Sequence, residues 1–283
     1  YINGTWNTLF ATVGQANALL ASLESSELES AENAKAELRA LRAYAYFYLM
    51  DLFGDVPVFT APKVDNNDLP KQNTRDEVFN FVEEELLVAA EILPSQNDVG
   101  SEYYGRLTKE AVYSLLAITY LNAEVFTGTP MYDKAEDYAD LVIASGAFSL
   151  LDNYHDNFKH DNEENDEFIF GGIYTPNETG GPGHPLVQKV LPGINGGLFG
   201  LPYTPQNGFG TRPSVMDAYE DIDDRKSMFI GYGELTDPRT GEVVMVERIV
   251  PDNNSNLYNP QTSTEGPEPY VIIPATGIRN QPM

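Results

Sequence analysis

ALRAYAYFYLMDLFGDVPVF occupies Ala40 to Phe59, and its reading decides the fold. Its only charges are Arg42, Asp51 and Asp55, and every residue from Ala43 to Met50 is apolar or aromatic. Alternating apolar and polar residues would mark a strand; none alternate here. A helix that is apolar on all sides is one packed on more than one face. Gly54 suits the left-handed position after a helix, and Pro57 forbids continuation. The segment therefore reads as the end of a helix running from about Ala31 to Phe53. That helix starts polar, with Glu32, Lys35, Glu37 and Arg39. Tyr44, Tyr46, Phe47 and Tyr48 cover too many faces for one ligand surface. They suit a central helix gripped on two sides, with Phe47 buried.

Helices extend outward from this one. From Gly4 to Leu23, with Thr5 as N-cap, Trp6, Leu9, Phe10, Val13, Ala16, Leu19, Leu20 and Leu23 recur at helical spacing. After a Pro/Asn/Asp loop, Thr74 and Glu77 form a capping box for a helix that halts at Pro94. Its apolar face is Val78, Phe81 or Val82, Leu86, Ala89 and Leu93. Thr108 caps a fourth helix, Lys109 to about Phe126. A fifth spans about Asp133 to Ser145 and closes at Gly146. Tyr113, Leu116, Ala117 and Tyr120, then Ala135, Ala139 and Val142, fit the two helices of a tetratricopeptide-type hairpin. The turn between them is longer than the standard repeat.

The character changes near Leu151. Phe168, Phe170 and Ile173 fall near period two and predict a strand, as does Glu242 to Val250. Residues 175–213 are rich in Gly and Pro with no helical period, and a short helix is expected from Ser214 to Tyr219. So much irregular chain in a compact domain points to working loops. The expected organisation is a helical region, 1–151, and an irregular, partly β region of the same domain, 152–283.

Composition narrows the chemistry. The chain has 17 Lys+Arg against 43 Asp+Glu, a net charge of −26. That field repels nucleic-acid phosphates and anionic lipid surfaces. With no cysteine, disulfides, thiolate zinc sites, Fe–S clusters and thiol catalysis are excluded within the chain. The longest nearly apolar stretch, Ala111 to Leu121, is too short to span a bilayer.

No phosphate-binding loop, dinucleotide fingerprint, nucleophile elbow or metalloprotease motif is present. Gly193 to Gly200 has the wrong glycine spacing for a phosphate cradle. His155 and His160 sit five apart, a poor helical spacing for shared metal ligation. Asp161 to Glu167 lacks the glycine and terminal glutamate of a calcium loop. These segments read as solvated loops, with no catalytic residue, metal or cofactor expected.

Aromatics in the loops remain. A sugar offers one apolar C–H face, which a flat ring can cover, and a rim of hydroxyls for amides and carboxylates. Tyr203, Gln206, Asn207 and Phe209 share one short Gly/Pro loop and fit that recipe, as do Tyr103 and Tyr104.

The segment ELRALRAYAYFYLMDLFGDVPVF, Glu37 to Phe59, resembles the signature of the SusD/RagB family of nutrient-binding outer-membrane lipoproteins of Bacteroidetes. The resembling residues are Arg39, Arg42, Ala43, Tyr44, Tyr46, Phe47 and the stop Phe53-Gly54-Asp55-Val56-Pro57. NTLFATVGQANALL resembles the family's first helix. RLTKEAVYSLLAITYLNAE and YDKAEDYADLVIASGAFSL resemble its tetratricopeptide-like pair. NEENDEFIFGGIY resembles the segment entering its ligand region, and RPSVMDAYEDIDDRK its short helix followed by D-x-R-like residues, here Asp223, Asp224 and Arg225. The family's lipidated cysteine, signal peptide and late helical segment are absent, so the sequence reads as an internal piece of a longer protein.

The resemblance implies a mainly α fold: a tetratricopeptide-like α-α superhelix carrying a loop-rich, partly β ligand face. It also implies a non-catalytic surface protein, lipid-anchored in the parent. Such a protein passes oligosaccharides or polysaccharides to a SusC-type TonB-dependent outer-membrane transporter. No fixed sugar-contacting motif carries over; only the region between Tyr174 and Arg212 does. An interaction scaffold of the transporter complex and a glycoside hydrolase are the competing expectations.

Overall fold

The structure, a computed structural model, describes residues 2–28, 30–62, 70–158, 162, 165–173, 215, 218–228, 233–236 and 243–246. It divides into two compact units. One comprises Tyr1–Ser149 with Phe168–Gly172, the other Leu150–Glu167 with Ile173–Met283.

The first unit is helical: α1 (Ile2–Leu23), α2 (Ser30–Phe53), α3 (Arg75–Ile92), α4 (Lys109–Leu121), α5 (Ala123–Thr127) and α6 (Tyr132–Ser145). α1 packs on α2, α2 on α3, α3 on α4, and α4 on α6. This serial stacking of neighbours is the packing mode of helical repeats. α1 begins at Ile2, so Thr5 lies inside its first turns and not at its N-cap.

α2 is the centre of the core. Ala36, Ala40, Ala43, Ala45, Tyr46, Leu49 and Met50 are buried along it. Ala at so many contact positions lets α1 and α3 approach closely, while Tyr46 fills the space between them. Phe10 and Phe81 meet the Tyr46 ring edge-on at 6.4 and 5.2 Å. Phe47 is only half-buried, against Phe126 and Tyr48. The run is wound so that Tyr46 points inward and Tyr48 outward, with Phe47 between. Gly54 follows at φ 77°, where a side chain would be strained, and its N–H donates to Met50 O. Val56 then bridges to Asn73, bringing the chain back to α3.

Thr74 caps α3 as its sequence predicts. Its hydroxyl accepts from Glu77 N, and the Glu77 carboxylate accepts from Thr74 N at 2.9 Å. The bond from Thr74 N, with one from the Asn73 amide, holds the Glu77 carboxyl below its usual range. The buried face is Val78, Phe79, Val82, Leu86, Ala89 and Leu93.

The helix predicted from Lys109 to Phe126 is broken at Asn122, which has φ −96° and ψ 4°. Its side-chain amide donates to Ile118 O at 2.8 Å, offering that carbonyl a partner other than the next helical turn. Thr108 sits at the N-cap of α4 but makes no capping bond, and its buried hydroxyl has no partner. Against α4, Tyr138 of α6 lies 5.6 Å from Tyr113 and stacks on Tyr120 at 5.5 Å. Gly146 closes α6 in the left-handed conformation.

Residues 165–173 form no strand, contrary to the period-two reading. Ile169 packs against the helical core, while Phe168, Phe170 and Ile173 are exposed. No strand among the described residues pairs with them, and unpaired apolar alternation alone does not make a sheet.

In the second unit, short 3-10 turns span Tyr154–Phe158 and Asp224–Met228 and contact each other. Strands β1 (Gly233–Thr236) and β2 (Val243–Val246) pair antiparallel, with Gly233 opposite Val246. The predicted strand over Glu242–Val250 is thus observed at Val243–Val246. Most of the expected short helix at Ser214–Tyr219 lies outside the described residues.

Candidate functional site

Tyr203, Gln206, Asn207 and Phe209 lie outside the described residues. Tyr103 and Tyr104 are described, and the loop between α3 and α4 presents them together. That loop is pinned along its length. Ser95 Oγ and Gln96 N both donate to the buried Glu110 carboxylate, at 2.6 and 2.8 Å. The Asn97 amide donates to Ser145 O at 2.8 Å. Tyr103 N and Tyr104 N close tight turns onto Gly100 O and Ser101 O. Gly105, at φ 78°, lets the chain turn directly into Arg106.

The Arg106 guanidinium lies 4.2 Å over the Tyr103 ring, a cation–π contact. It also reaches across to α2, where Nη2 sits 2.6 Å from Glu37 Oε1. Tyr103 is therefore covered on one side and fixed, whereas Tyr104 is 52% exposed. An exposed ring of this kind can take the C–H face of a sugar.

A groove of about 380 Å³ opens on the other flank of α2. Trp6, Phe10 and Gly14 of α1 form one wall, and Pro57, Phe59 and Pro70 the other. At Gly14 an added Cβ would meet nothing within 4 Å. Asn17 lines it, yet its polar atoms are committed. Nδ2 donates to Phe59 O and Ala61 O, and Oδ1 accepts from Arg42. The groove thus offers apolar surface and, among the described residues, no free side-chain amide, which is half of the sugar recipe. Sequence spacing alone did not reveal it, because its second wall comes from the loop after α2.

In the second unit, Asn157 is an organising residue. Its Nδ2 donates to Glu167 Oε2 at 2.9 Å, and its Oδ1 accepts from Asn165 at 2.7 Å. Glu167 is spent as a structural acceptor, also receiving Leu151 N. His155 falls in the 3-10 turn Tyr154–Phe158, while His160 lies outside the described residues. Among the described residues no group of three or more His, Asp or Glu is placed to hold a metal ion. Arg225 chelates Asp223, and Lys226 pairs with Asp221, holding both carboxyls below their usual range. No described helix is long and apolar enough to cross a membrane.

The serial helical stack of the first unit defines a tetratricopeptide-like helical architecture. Residues 1–121 match the SusD-like family described as starch-binding, associating with outer membrane. The starch-binding protein SusD of Bacteroides thetaiotaomicron is 40% identical over 132 residues, which is 47% of this chain and 23% of that protein. A SusD superfamily structure from Parabacteroides distasonis superposes with a TM-score of 0.75 at 21% identity, covering 96% of this chain and 55% of that one. A laminarin-binding SusD-like protein gives a TM-score of 0.55 at 25% identity, over 62% of this chain and 38% of that one. These matches make residues 1–121 similar to the SusD-like family. The chain spans about a quarter of its matched starch-binding relative.

Proposed function

We propose that the chain is the helical and loop-bearing part of a non-catalytic glycan-capture protein at the bacterial surface. The observation that carries this reading is the 40% identity to a starch-binding protein over 132 residues. In this reading residues 152–283 supply the ligand loops. Tyr203, Gln206, Asn207 and Phe209 contact the sugar, with Tyr103 and Tyr104 as a second aromatic contact. The captured glycan passes to a SusC-type TonB-dependent outer-membrane transporter, and the parent protein is held at the outer membrane by a lipid anchor.

Isothermal titration of the full-length parent against plant and host glycans tests the reading. Saturable binding without release of reducing sugar is the expected result. Absence of binding across the panel overturns it, and sugar release would make the protein a hydrolase.

A scaffold role is favoured by one further observation. Tyr44, Tyr48 and Leu52 repeat every fourth residue on α2, and Tyr48 and Leu52 are exposed at 37% and 56%. An apolar stripe of this kind suits a protein partner. Co-purification with the transporter in the absence of glycan tests it.

A further inference from the structure

The tip of the α3–α4 loop is a four-residue turn, Tyr103-Tyr104-Gly105-Arg106. Arg106 N donates to Tyr103 O at 2.8 Å. Tyr104 has φ −54° and ψ 126°, and Gly105 has φ 78°. These angles make a type II turn, whose third position needs a left-handed residue. Such a turn brings its first and fourth residues within about 7 Å of each other. The backbone therefore pairs Tyr103 with Arg106 and sets Tyr104 at the corner.

The donors of Arg106 are only partly spent. A guanidinium carries five N–H groups in a planar fork. Nε and Nη2 go to Glu37, at 3.4 and 2.6 Å, and Cζ lies 4.2 Å from the centroid of the Tyr103 ring. Nη1 makes no hydrogen bond among the described residues, and the side chain is exposed. Glu37 and Tyr103 thus hold the fork while its last amino group faces no protein acceptor. A donor already held loses less freedom on binding than a free arginine would.

Tyr104 is unspent in the same way. The exposed tyrosines among the described residues are Tyr48, Tyr104 and Tyr132. Tyr48 meets Tyr44 and Phe47 edge-on, and Tyr132 donates its hydroxyl to Glu124. Among the described residues Tyr104 has neither a ring partner nor a hydroxyl partner. One turn therefore offers an open ring and open donors, the apolar and the polar half of a sugar contact.

From this we infer that Arg106 is a specificity-determining residue of this contact. Tyr104 takes the C–H face of a pyranose residue, and Arg106 donates from Nη1 to hydroxyl oxygens at its rim. Glu37 and Tyr103 are positioning residues, which aim the guanidinium without touching the sugar. The inference rests on the glycan-binding reading and adds the donor that selects the hydroxyl pattern.

The test is isothermal titration of the full-length parent with maltoheptaose, laminarin and xyloglucan oligosaccharide, with Tm measured for every variant. Arg106→Lys keeps the charge and removes the fork. For the probe that binds most tightly, Tyr104→Ala and Arg106→Lys should each weaken binding by about fivefold or more at unchanged Tm. Their combined effect should fall short of the product of the two, because both act on one sugar residue. Glu37→Gln should weaken binding in the parent but not in the Arg106→Lys background, as expected of a residue that acts through Arg106. Unchanged affinity in Arg106→Lys, or a loss that follows a lowered Tm, overturns the inference and leaves the arginine a staple between the loop and α2. Glycan binding would then stand without it. Binding of no probe by the parent removes the glycan reading, and this inference with it.

Discussion

Arg42 of α2 and Glu85 of α3, 43 residues apart in the chain, form a buried two-point ion pair. Arg42 Nε and Nη2 lie 2.8 and 2.5 Å from Glu85 Oε2. Its remaining Nη1 reaches Asn17 of α1 at 2.6 Å, and Asn17 in turn ties down the carbonyls of Phe59 and Ala61. Arg39 completes the set on Glu85 Oε1 at 3.2 Å. One guanidinium therefore joins three helices and the loop that walls the apolar groove. Removing Glu85 leaves Arg42 buried without a counter-charge, and removing Arg42 leaves buried Glu85 with only the part-exposed Arg39. Arg42→Met or Glu85→Met should each cost about 3–5 kcal/mol, measured by urea unfolding of the full chain. The double substitution should cost clearly less than the sum, since no stranded charge remains. Strict additivity would show that the pair is not coupled.

Tyr46 provides a second test. Its hydroxyl accepts from Phe59 N at 2.7 Å and donates to Phe59 O at 3.4 Å, in a fully buried position. Tyr46→Phe keeps the ring and strands Phe59 N, while Phe59 O keeps its bond from Asn17, for an expected loss of about 1–3 kcal/mol. Phe47→Ala, by contrast, should cost less than the 3–5 kcal/mol or so of a fully buried Phe, because that ring is half exposed. A larger loss at Phe47 than at buried Phe79 would contradict this ordering.

The same tyrosine sets an alkaline limit. Burial pushes its pKa from 10.0 to about 12, only partly offset by the Phe59 backbone. The folded state thus prefers the neutral phenol. That preference contributes fully below pH 10.0 and is lost as pH rises through about 12. Stability should fall over this window, and Tyr46→Phe should flatten the fall. Tyr44, raised to about 12 by burial and its bond to Tyr48, contributes a remaining slope. An unchanged slope in Tyr46→Phe would dismiss the buried phenol as its source.

How much of this was legible in the sequence follows from the range of each interaction. The capping box of Thr74 and Glu77 is local, its partners three positions apart, and was readable outright. So was the stop at Gly54 and Pro57, where one residue's conformational freedom and another's missing N–H decide the outcome. The burial of Arg42 was not readable, because it depends on Glu85 arriving from the next helix. The break at Asn122 hides in a side chain that suits a helix surface as well as a helix end. Phe168 and Phe170 misled because alternation specifies a strand only where a partner edge exists. Tyr103 and Tyr104 were readable as adjacent rings, whereas their clamp by Arg106 and Glu37 spans 69 residues.

Glycines in α1 and after α2 should respond oppositely to the same change. Gly14 lies inside α1 with open space at its Cβ. Gly14→Ala should stabilise by about 0.5–1 kcal/mol through helix propensity, raising Tm by about 1–4 °C. Gly54 also has open space, but its φ of 77° penalises any side chain. Gly54→Ala should destabilise by about 1–2 kcal/mol. Equal responses at both sites would show that space, not backbone conformation, governs them.

The division of roles between loops and helices yields the last prediction. If the aromatic loop takes the sugar, Tyr203→Ala with Phe209→Ala should weaken glycan binding by about tenfold or more, equivalent to 1.4 kcal/mol. If the helical unit carries the association proposed with a transporter, that association should be unaffected. Tyr104→Ala tests the second aromatic contact separately. Its ring is exposed and its backbone is held by turn bonds that survive truncation, so the fold should persist with unchanged Tm. A drop in glycan affinity at constant Tm would then report a direct contact. Unchanged affinity in Tyr104→Ala removes the α3–α4 loop from the site, and unchanged affinity in the double variant removes Tyr203 and Phe209. Loss of transporter association in the double variant would instead move those loops to the partner interface.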